Sequence, residues 1–273
     1  MNVKEALGEA EERLAAAGVD TPRVDAELLL AHVLGTTRTG VYEQLESEVE
    51  PGWESLLERR ERREPLAYVL GEWGFRRLTL HVDPRVLIPR PETEVVVERC
   101  IERLIELPAP SVLDVGTGSG AIALAIADED AGAQVTAIDS SPDALEVALA
   151  NAAVSGLTER VRFLRHDLAD GLDLGEFDLV VSNPPYVDAA EIEQLQPEVR
   201  DWEPRGALVG RGVAGHVAAA ARSCLRSGGW IVLEAAAGCA ADMAAQLESL
   251  GYASVGITAD LTGVERVVEG QWS

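Results

Sequence analysis

From Ser111 onward the chain alternates short β-type runs with helix-forming runs, and that alternation limits the possible folds more than any other feature. "SVLDVG" (111–116) reads as a strand and "GAIALAIADE" (120–129) as a helix. "QVTAID" (134–139) is the next strand and "SPDALEVALANAAVSG" (141–156) the next helix. "VRFLRHDL" (161–168) and "FDLVVSN" (177–183) predict strands, "GHVAAAARSCLRSGG" (215–229) a helix and "WIVLEAA" (230–236) a strand. Repeated strand–helix units predict an α/β fold with a parallel sheet covered on both faces. The end differs. "ASVGITAD" (253–260) and "VERVVEG" (264–270) are separated only by "LTG", which predicts an antiparallel hairpin at a sheet edge.

The first 70 or so residues read as helices instead. "VKEALGEAEERLAAAG" stops at Gly18. "TPRVDAELLLAHVLG" opens with Thr21 as N-cap and Pro22 at the first helical position, and closes at Gly35. "PGWESLLERRERRE" is a third helix, with a shorter one around Val41–Leu45. Residues 71–89 carry partial alternation in "GFRRLTLHV" and predict a hairpin connector. "RPETEVVVERCIERLIEL" then opens a long helix with Pro91 and two glutamates in its first turn. The predicted division is a helical domain over 1–70, a connector over 71–90 and the α/β domain over 91–273.

Composition narrows the class. Hydrophobic residues make up 47% of the 273 positions, enough for a sizeable core. No run approaches the ~18 apolar residues of a membrane span, and the charged N-terminus lacks a secretory apolar block. Cys100, Cys224 and Cys239 are scattered and odd in number, which fits a reducing cytoplasm better than a disulfide framework. His32, His81, His166 and His216 show no metal-ligand spacing; they read as structural or solvated, and no metal site is expected. Net charge is −24, and Lys4 is the only lysine. An acidic body repels phosphate backbones, so direct nucleic-acid binding is not expected. The acids are spread along the chain, which favours an acidic surface adapted to a salty cytoplasm over a docking site for a basic partner.

Two stretches carry chemistry. "LDVGTGSG" places Gly116, Gly118 and Gly120 in the turn after the first α/β strand, at the edge where such sheets bind ligands. The spacing is G-x-G-x-G, not the G-x-G-x-x-G of dinucleotide binders, and no G-K-[ST] follows. Asp139 ends the next strand about twenty residues on, where a carboxylate can accept both hydroxyls of a ribose; the plainer reading is a helix N-terminal acid. Asp167 is placed to meet an adenine amino group and Leu168 to cover the ring, against an ordinary strand end. Asp114 can order the loop or reach a ligand ammonium.

The other stretch is "SNPPY". Asn183 ends the fourth strand of the α/β region at the same edge. Pro184 and Pro185 fix their φ angles, supply no N–H and push the residue before them out of the helical region. The backbone is stiff there, with carbonyls in set directions, and Tyr186 adds a flat face. These features suit a site that grips a planar NH₂, with the Asn183 oxygen accepting one N–H and the Pro184 carbonyl the other. A proline-rich turn after a buried strand is the plainer alternative.

"LDVGTGSG", "AID" and "SNPPY" in this order resemble the class I S-adenosylmethionine-dependent methyltransferases. "DAELLLAHVLG", "EPLAYVLGEWGF", "VLIPRPETE", "WEPRGALVG" and "DLTGVERVVEG" extend the resemblance over essentially the full length. They point to the bacterial protein-(glutamine-N5) methyltransferases that modify peptide chain release factors. "NPPY" is shared with enzymes that methylate adenine or cytosine amino groups; "LIPRPETE" together with it is more specific.

The resemblance implies a Rossmann-like seven-stranded methyltransferase sheet ending in an antiparallel hairpin, with a small N-terminal helical domain that docks the substrate protein. It implies S-adenosylmethionine as cofactor and a glutamine in a Gly-Gly-Gln loop as substrate. Cofactor contacts carry over to Asp114, Gly116, Thr117, Gly118, Ser119, Gly120, Asp139, Asp167, Leu168 and Asn183. Substrate contacts carry over to Asn183, Pro184, Pro185 and Tyr186, with Asn183 and Pro184 catalytic. Leu168 departs from the family, which often stacks an aromatic there, and "LEAAAG", with Ala235–Ala237, departs from its usual "E-I-G". "RPETE" (90–94) lies near the site or caps a helix. A cytoplasmic monomer acting on a release factor is expected. The alternatives are another protein glutamine, on a ribosomal protein, or a flipped nucleic-acid adenine. A dehydrogenase is disfavoured by the glycine spacing, and a binding module has no need of "NPPY" beside a cofactor loop.

Overall fold

The structure, a computed structural model, describes residues 1–49 and 51–273. In chain order the elements are α1 (Val3–Ala16), α2 (Pro22–Val33), α3 (Trp53–Glu61), α4 (Leu66–Leu70), β1 (Glu72–Phe75), β2 (Leu78–His81), α5 (Thr93–Leu104), β3 (Ser111–Val115), α6 (Ala121–Glu129) and β4 (Gln134–Asp139). There follow α7 (Pro142–Val154), β5 (Val161–Arg165), β6 (Phe177–Ser182), α8 (Pro197–Arg200), α9 (Arg205–Leu208), α10 (Val213–Ala221), β7 (Leu225–Glu234), α11 (Ala240–Ser249), β8 (Ala253–Ala259) and β9 (Glu265–Gln271). The chain divides into two compact units, one of residues 1–72 with 195–202, the other of 73–194 with 203–273.

The first unit is helical. In α1 the apolar positions Val3, Ala6, Leu7, Ala10 and Leu14 recur at helical spacing and are all buried. Asn2 and Glu5 form a capping box, each side chain bonded to the other's amide at 2.9 and 3.0 Å. Leu29 and Leu30 of α2 and Trp53 and Leu57 of α3 complete the cluster. Thr21 sits at the N-cap position of α2 but caps no amide; its hydroxyl donates to Asp25 at 2.8 Å. The physical reason is that Asp25 is buried and needs donors, and Arg60 supplies the other at 2.7 Å. The expected short helix near 41–45 is a 3₁₀ turn over Gly40–Glu43.

The segment carrying α8 belongs to this unit through charge. Glu198 accepts from Arg63 Nε and Nη2 at 2.6 Å each and from Arg60 Nη2 at 2.9 Å. A second cluster centres on buried Glu27, which accepts from Arg23, Arg38 and Tyr42. Burial pushes the Glu27 carboxyl up, but the hydrogen bonds from Tyr42, Arg38 and Arg23 outweigh it and hold it at about 2.

The second unit has a seven-stranded sheet in the order β5-β4-β3-β6-β7-β9-β8. The strands from β3 to β7 pair in parallel; β9 runs antiparallel to β7, and β8 to β9. β1 and β2 form a separate two-stranded sheet. The alternation of the strands splits the core in two. Val112, Leu179, Val181 and Val232 face the cluster that holds α5 and α6. Leu113, Val115, Val180 and Ile231 face the cluster that holds α10 and α11.

Several boundaries differ from the sequence reading. The helix expected to run to Gly229 ends at Ala221, and β7 begins at Leu225. Its glycines do not stop a helix: they sit where the β6–β7 register shifts between Phe177 and Leu179, with Gly228 at φ 84°. The long helix expected to open at Arg90 starts at Thr93, after a turn in which Thr93 N donates to Arg90 O and Glu94 N to Pro91 O at 3.1 Å each. β5 ends at Arg165, so Asp167 lies beyond the strand, where its side chain accepts from Ala169 N at 2.9 Å. The helix α11 was not anticipated; its alanine-rich run lacks a marked cap. Among the described residues no helix is long and apolar enough to cross a membrane.

Replacing Glu198 with Ala leaves Arg60, which is buried, and Arg63 short of an acceptor. The expected loss is roughly 1–3 kcal/mol in urea unfolding, together with faster amide exchange across 195–202. Unchanged exchange there refutes the anchoring role of this cluster.

Candidate active site

β3 and β6 are neighbours, yet the chain leaves β3 toward β4 and leaves β6 toward β7 on the other side. The order reverses between them, and a crevice opens outside their carboxyl ends. The Ser182 hydroxyl donates to Val115 O at 2.7 Å and ties the two strand ends together.

The glycine loop leaves β3 under tight control from β4. The amides of Gly116 and Thr117 both donate to Ile138 O at 2.9 Å. Gly118 N donates to Asp139 Oδ2 and Ser141 N to Asp139 Oδ1, also at 2.9 Å. Each Asp139 oxygen therefore has one lone pair engaged and another available. The cap of α7 is Ser141, whose hydroxyl accepts from Ala144 N at 3.2 Å, so Asp139 is not needed for it. Gly116 has φ 76° and no atom within 4 Å of where a Cβ would stand. Gly120, at φ 84°, would press a Cβ to 3.1 Å from Leu124 and 3.3 Å from Ala148, so the loop–helix junction needs a glycine on both counts.

Asp114 lies under this loop, fully buried. Thr117 Oγ1 donates to its Oδ2 at 2.6 Å, while its Oδ1 has no partner among the described residues. Burial pushes its carboxyl up to about 7, helped by the charge of Asp139 and opposed by the Thr117 hydrogen bond.

Across the crevice, Asn183 Nδ2 donates to Thr93 Oγ1 at 3.2 Å, and Thr93 Oγ1 donates to Glu234 Oε2 at 2.6 Å. Burial lifts Glu234 to about 7 against the Thr93 bond. The proline turn is braced from behind. A Cβ on Gly210 would fall 2.5 Å from Pro185 Cγ, and Val187 N donates to Leu208 O at 2.9 Å. Arg90 Nη2 donates to both oxygens of buried Glu203 at 2.7 and 2.6 Å. Burial raises the Glu203 carboxyl, and Arg90 opposes the rise.

Two adjoining cavities occupy the crevice. One, of about 340 Å³, is lined by Gly116, Thr117, Gly118, Ser119, Asp139, Asn183 and Pro185, with Arg90, Thr93, Ser140 and Gly206. The other, of about 410 Å³, is lined by Gly116, Ser140, Asp167, Leu168, Pro184 and Pro185, with His166, Val213 and His216. Gly116, Ser140, Pro185 and Gly206 border both, so an elongated ligand can lie across them. Asp114 sits beneath the loop, while Gly120 and Tyr186 line neither cavity; Tyr186 is 40% exposed.

The chain matches known sequences along its whole length. Residues 5–71 match the family described as PrmC N-terminal domain, and residues 94–198 the methyltransferase small domain. The release factor glutamine methyltransferase of Deinococcus radiodurans is 43% identical over 282 aligned positions, covering 99% of both chains. That of Chlorobaculum tepidum is 45% identical over 266, covering 91% of this chain and 90% of its own. The chain belongs to the release factor glutamine methyltransferase family. Among solved structures, the catalytic domain of hMettl16 in complex with MAT2A 3'UTR hairpin 6 has a TM-score of 0.57 at 16% identity, covering 72% of this chain and 76% of that one. The T. Thermophilus 16S rRNA N2 G1207 methyltransferase, in complex with AdoMet and guanosine, has a TM-score of 0.54 at 21% identity, covering 72% and 47%. These two likenesses show the methyltransferase fold alone.

Within this family framework, the site also contains residues that sequence reasoning missed. Glu234 and Glu203 are buried carboxylates at the ends of hydrophobic or mixed runs, where an acid is otherwise disfavoured. That was one signal; the other was that both acids lie in runs quoted for the family resemblance, "LEAAAG" and "WEPRGALVG". His166 and His216, read as structural or solvated, border the second cavity. Gly206 and Ala207, which line the first cavity, lie inside "WEPRGALVG", a run that carried the family resemblance without a role for either residue.

The Asp114 value fixes the sign of a pH effect. Its folded value lies above that of an unfolded aspartate, so the folded state holds the proton more tightly and loses stability as pH rises from ~4 to about 7. Asp114→Asn removes this loss. Relative to the parent, the variant should gain roughly 1–3 kcal/mol more at pH 8 than at pH 4.5, read by denaturant unfolding at both pH values. An equal offset at the two pH values refutes the shift.

Proposed function

We propose that the protein transfers a methyl group from S-adenosylmethionine to the side-chain amide nitrogen of a glutamine in a peptide chain release factor, the glutamine of its Gly-Gly-Gln loop. The observation that carries this reading is the orientation of Asn183. Its NH₂ is engaged by Thr93, which leaves Oδ1 as an acceptor at the mouth of a crevice that also holds a glycine loop and an acid at the end of the next strand.

The residues present fit the cofactor. Asp139 keeps a lone pair on each oxygen for the two ribose hydroxyls. The orphaned Asp114 Oδ1 beneath the loop matches an ammonium, which would draw that carboxyl back to its charged form. Asp167 and Leu168 border the second cavity, which has room for a planar base; with leucine in place of an aromatic, contact with the ring is apolar packing rather than stacking. When bound, the cofactor supplies a methyl group on a positively charged sulfur. Thr117, Ser119, Gly116 and Gly118 would form the wall on which it rests.

The chain's part in the chemistry is grip and alignment. An amide nitrogen is a poor nucleophile because its lone pair is delocalised. Asn183 Oδ1 accepts one of its N–H bonds and the Pro184 carbonyl the other, which directs the nitrogen into the crevice, with Tyr186 against the flat amide face. As the N–C bond would form, the sulfur–methyl bond would break and leave a neutral thioether; the amide proton would then become acidic and pass to water, so the chain would need to supply no strong base. Holding the reacting atoms ~3–3.5 Å apart is the main source of acceleration. The helical region 1–70 is assigned to docking the release factor, 71–90 to the connector and 91–273 to catalysis, in a cytoplasmic monomer. The net charge of −24 argues against a nucleic-acid substrate.

The test is transfer of labelled methyl groups to an intact release factor, to the same factor with Gln→Ala in its Gly-Gly-Gln loop, and to DNA. Label on the intact factor alone is expected; label on DNA, or equal label on the altered factor, overturns the reading. Asn183→Ala is expected to lower kcat by roughly 100-fold or more while cofactor affinity stays within about threefold. Asp139→Ala is expected to weaken cofactor binding by roughly 10- to 100-fold, read by titration calorimetry. Equal loss of cofactor affinity in both variants contradicts the division of roles.

A further inference from the structure

We propose that Thr93 and Glu234 are positioning residues that fix which way the Asn183 amide points, and so set whether the site can accept a hydrogen bond from the substrate nitrogen. The proposal rests on the amide-methylation reading above. An asparagine amide can turn over with almost no change of shape, exchanging its oxygen for its NH₂. Only one orientation is useful here. With Oδ1 toward the crevice, Asn183 accepts from a substrate N–H; turned over, it aims a donor at a donor.

The proline turn cannot choose between them, because Pro184 and Pro185 offer no N–H. The choice comes from α5 and β7. Thr93, the first residue of α5, is 3% exposed, and Glu234, the last of β7, is 1% exposed, so both bonds are largely shielded from bulk water. An ionised carboxylate only accepts. A hydroxyl has one proton, and Thr93 gives its proton to Glu234 at 2.6 Å. Thr93 Oγ1 is then left with lone pairs alone, and at 3.2 Å it can only accept from Asn183. The charge on Glu234 thus fixes the polarity of Thr93, and Thr93 fixes that of Asn183. "RPETE" enters the site through its threonine, and the acid of "LEAAAG" through that threonine in turn.

The test uses the full chain with an intact release factor at about pH 8.5, above the Glu234 value of about 7. Thr93→Val keeps the shape and removes both hydrogen bonds; Thr93→Ser keeps both. We expect Thr93→Val to lower kcat roughly 10- to 100-fold, with the affinity for S-adenosylmethionine and the KM for the release factor within about twofold, and Thr93→Ser to restore kcat to within about threefold of the parent. Glu234→Gln can offer Thr93 either a donor or an acceptor and no longer sets the polarity. It should lower kcat several-fold in the parent and not at all in the Thr93→Val background. A kcat unchanged by Thr93→Val, failure of Thr93→Ser to restore it, or additive effects of the two substitutions each overturn the proposal. A parent enzyme that labels no release factor overturns the functional reading itself, and this inference with it; parent activity with an unaffected Thr93→Val variant overturns this inference alone.

Discussion

The pairing of β3 with β6 is the contact on which the site depends. These strands are far apart in sequence and meet because each is a short run that must bury both faces. Once they are adjacent, the connections that leave them diverge, and the crevice between their ends follows from topology. The Ser182–Val115 hydrogen bond then sets the spacing between the glycine loop and the proline turn. Everything else in the site is an adjustment to that frame: Asp139 pins the loop from β4, and Gly210 stops the proline turn from behind.

Buried carboxylates are a recurring device in this acidic chain, and they fall into two kinds. Glu27 and Glu198 are saturated with arginine and other donors, which holds their carboxyls below the usual range despite burial. They secure the helical unit. Asp114 and Glu234 each meet a single threonine hydroxyl, and burial lifts both to about 7. They flank the crevice. Glu269 of the second unit, which accepts from Arg99 and Arg103 and is held below the usual range, is of the first kind, so the contrast separates acids paired with arginines from those that meet only a hydroxyl and does not separate the two units.

Much of the architecture was legible in the sequence because it is encoded locally. Short β-type apolar runs, the glycine turns and the "LTG" hairpin need only a few residues to read, and the described sheet has the expected parallel strands and terminal hairpin. Boundaries were less legible where tertiary contacts override local propensity. Leu225 pairs with Phe177, which pulls "RSGG" into β7 although the preceding residues form a helix. Thr21 satisfies the needs of Asp25 in place of the helix end it precedes.

The sequence by itself determined the strand order of the chemistry: glycines after one strand, an acid after the next, and Asn183 with its two prolines at the end of another, all at one edge because the strands run in parallel. Only the tertiary structure decided what holds those groups in place. Arg90 finds Glu203, and Thr93 finds Glu234 and Asn183, across separations of 113, 141 and 90 residues. A hydrogen bond acts over about 3 Å and carries no trace in the local pattern of either partner. Periodicity reports which face of an element is buried; it does not report which polar group waits on the other side of the crevice.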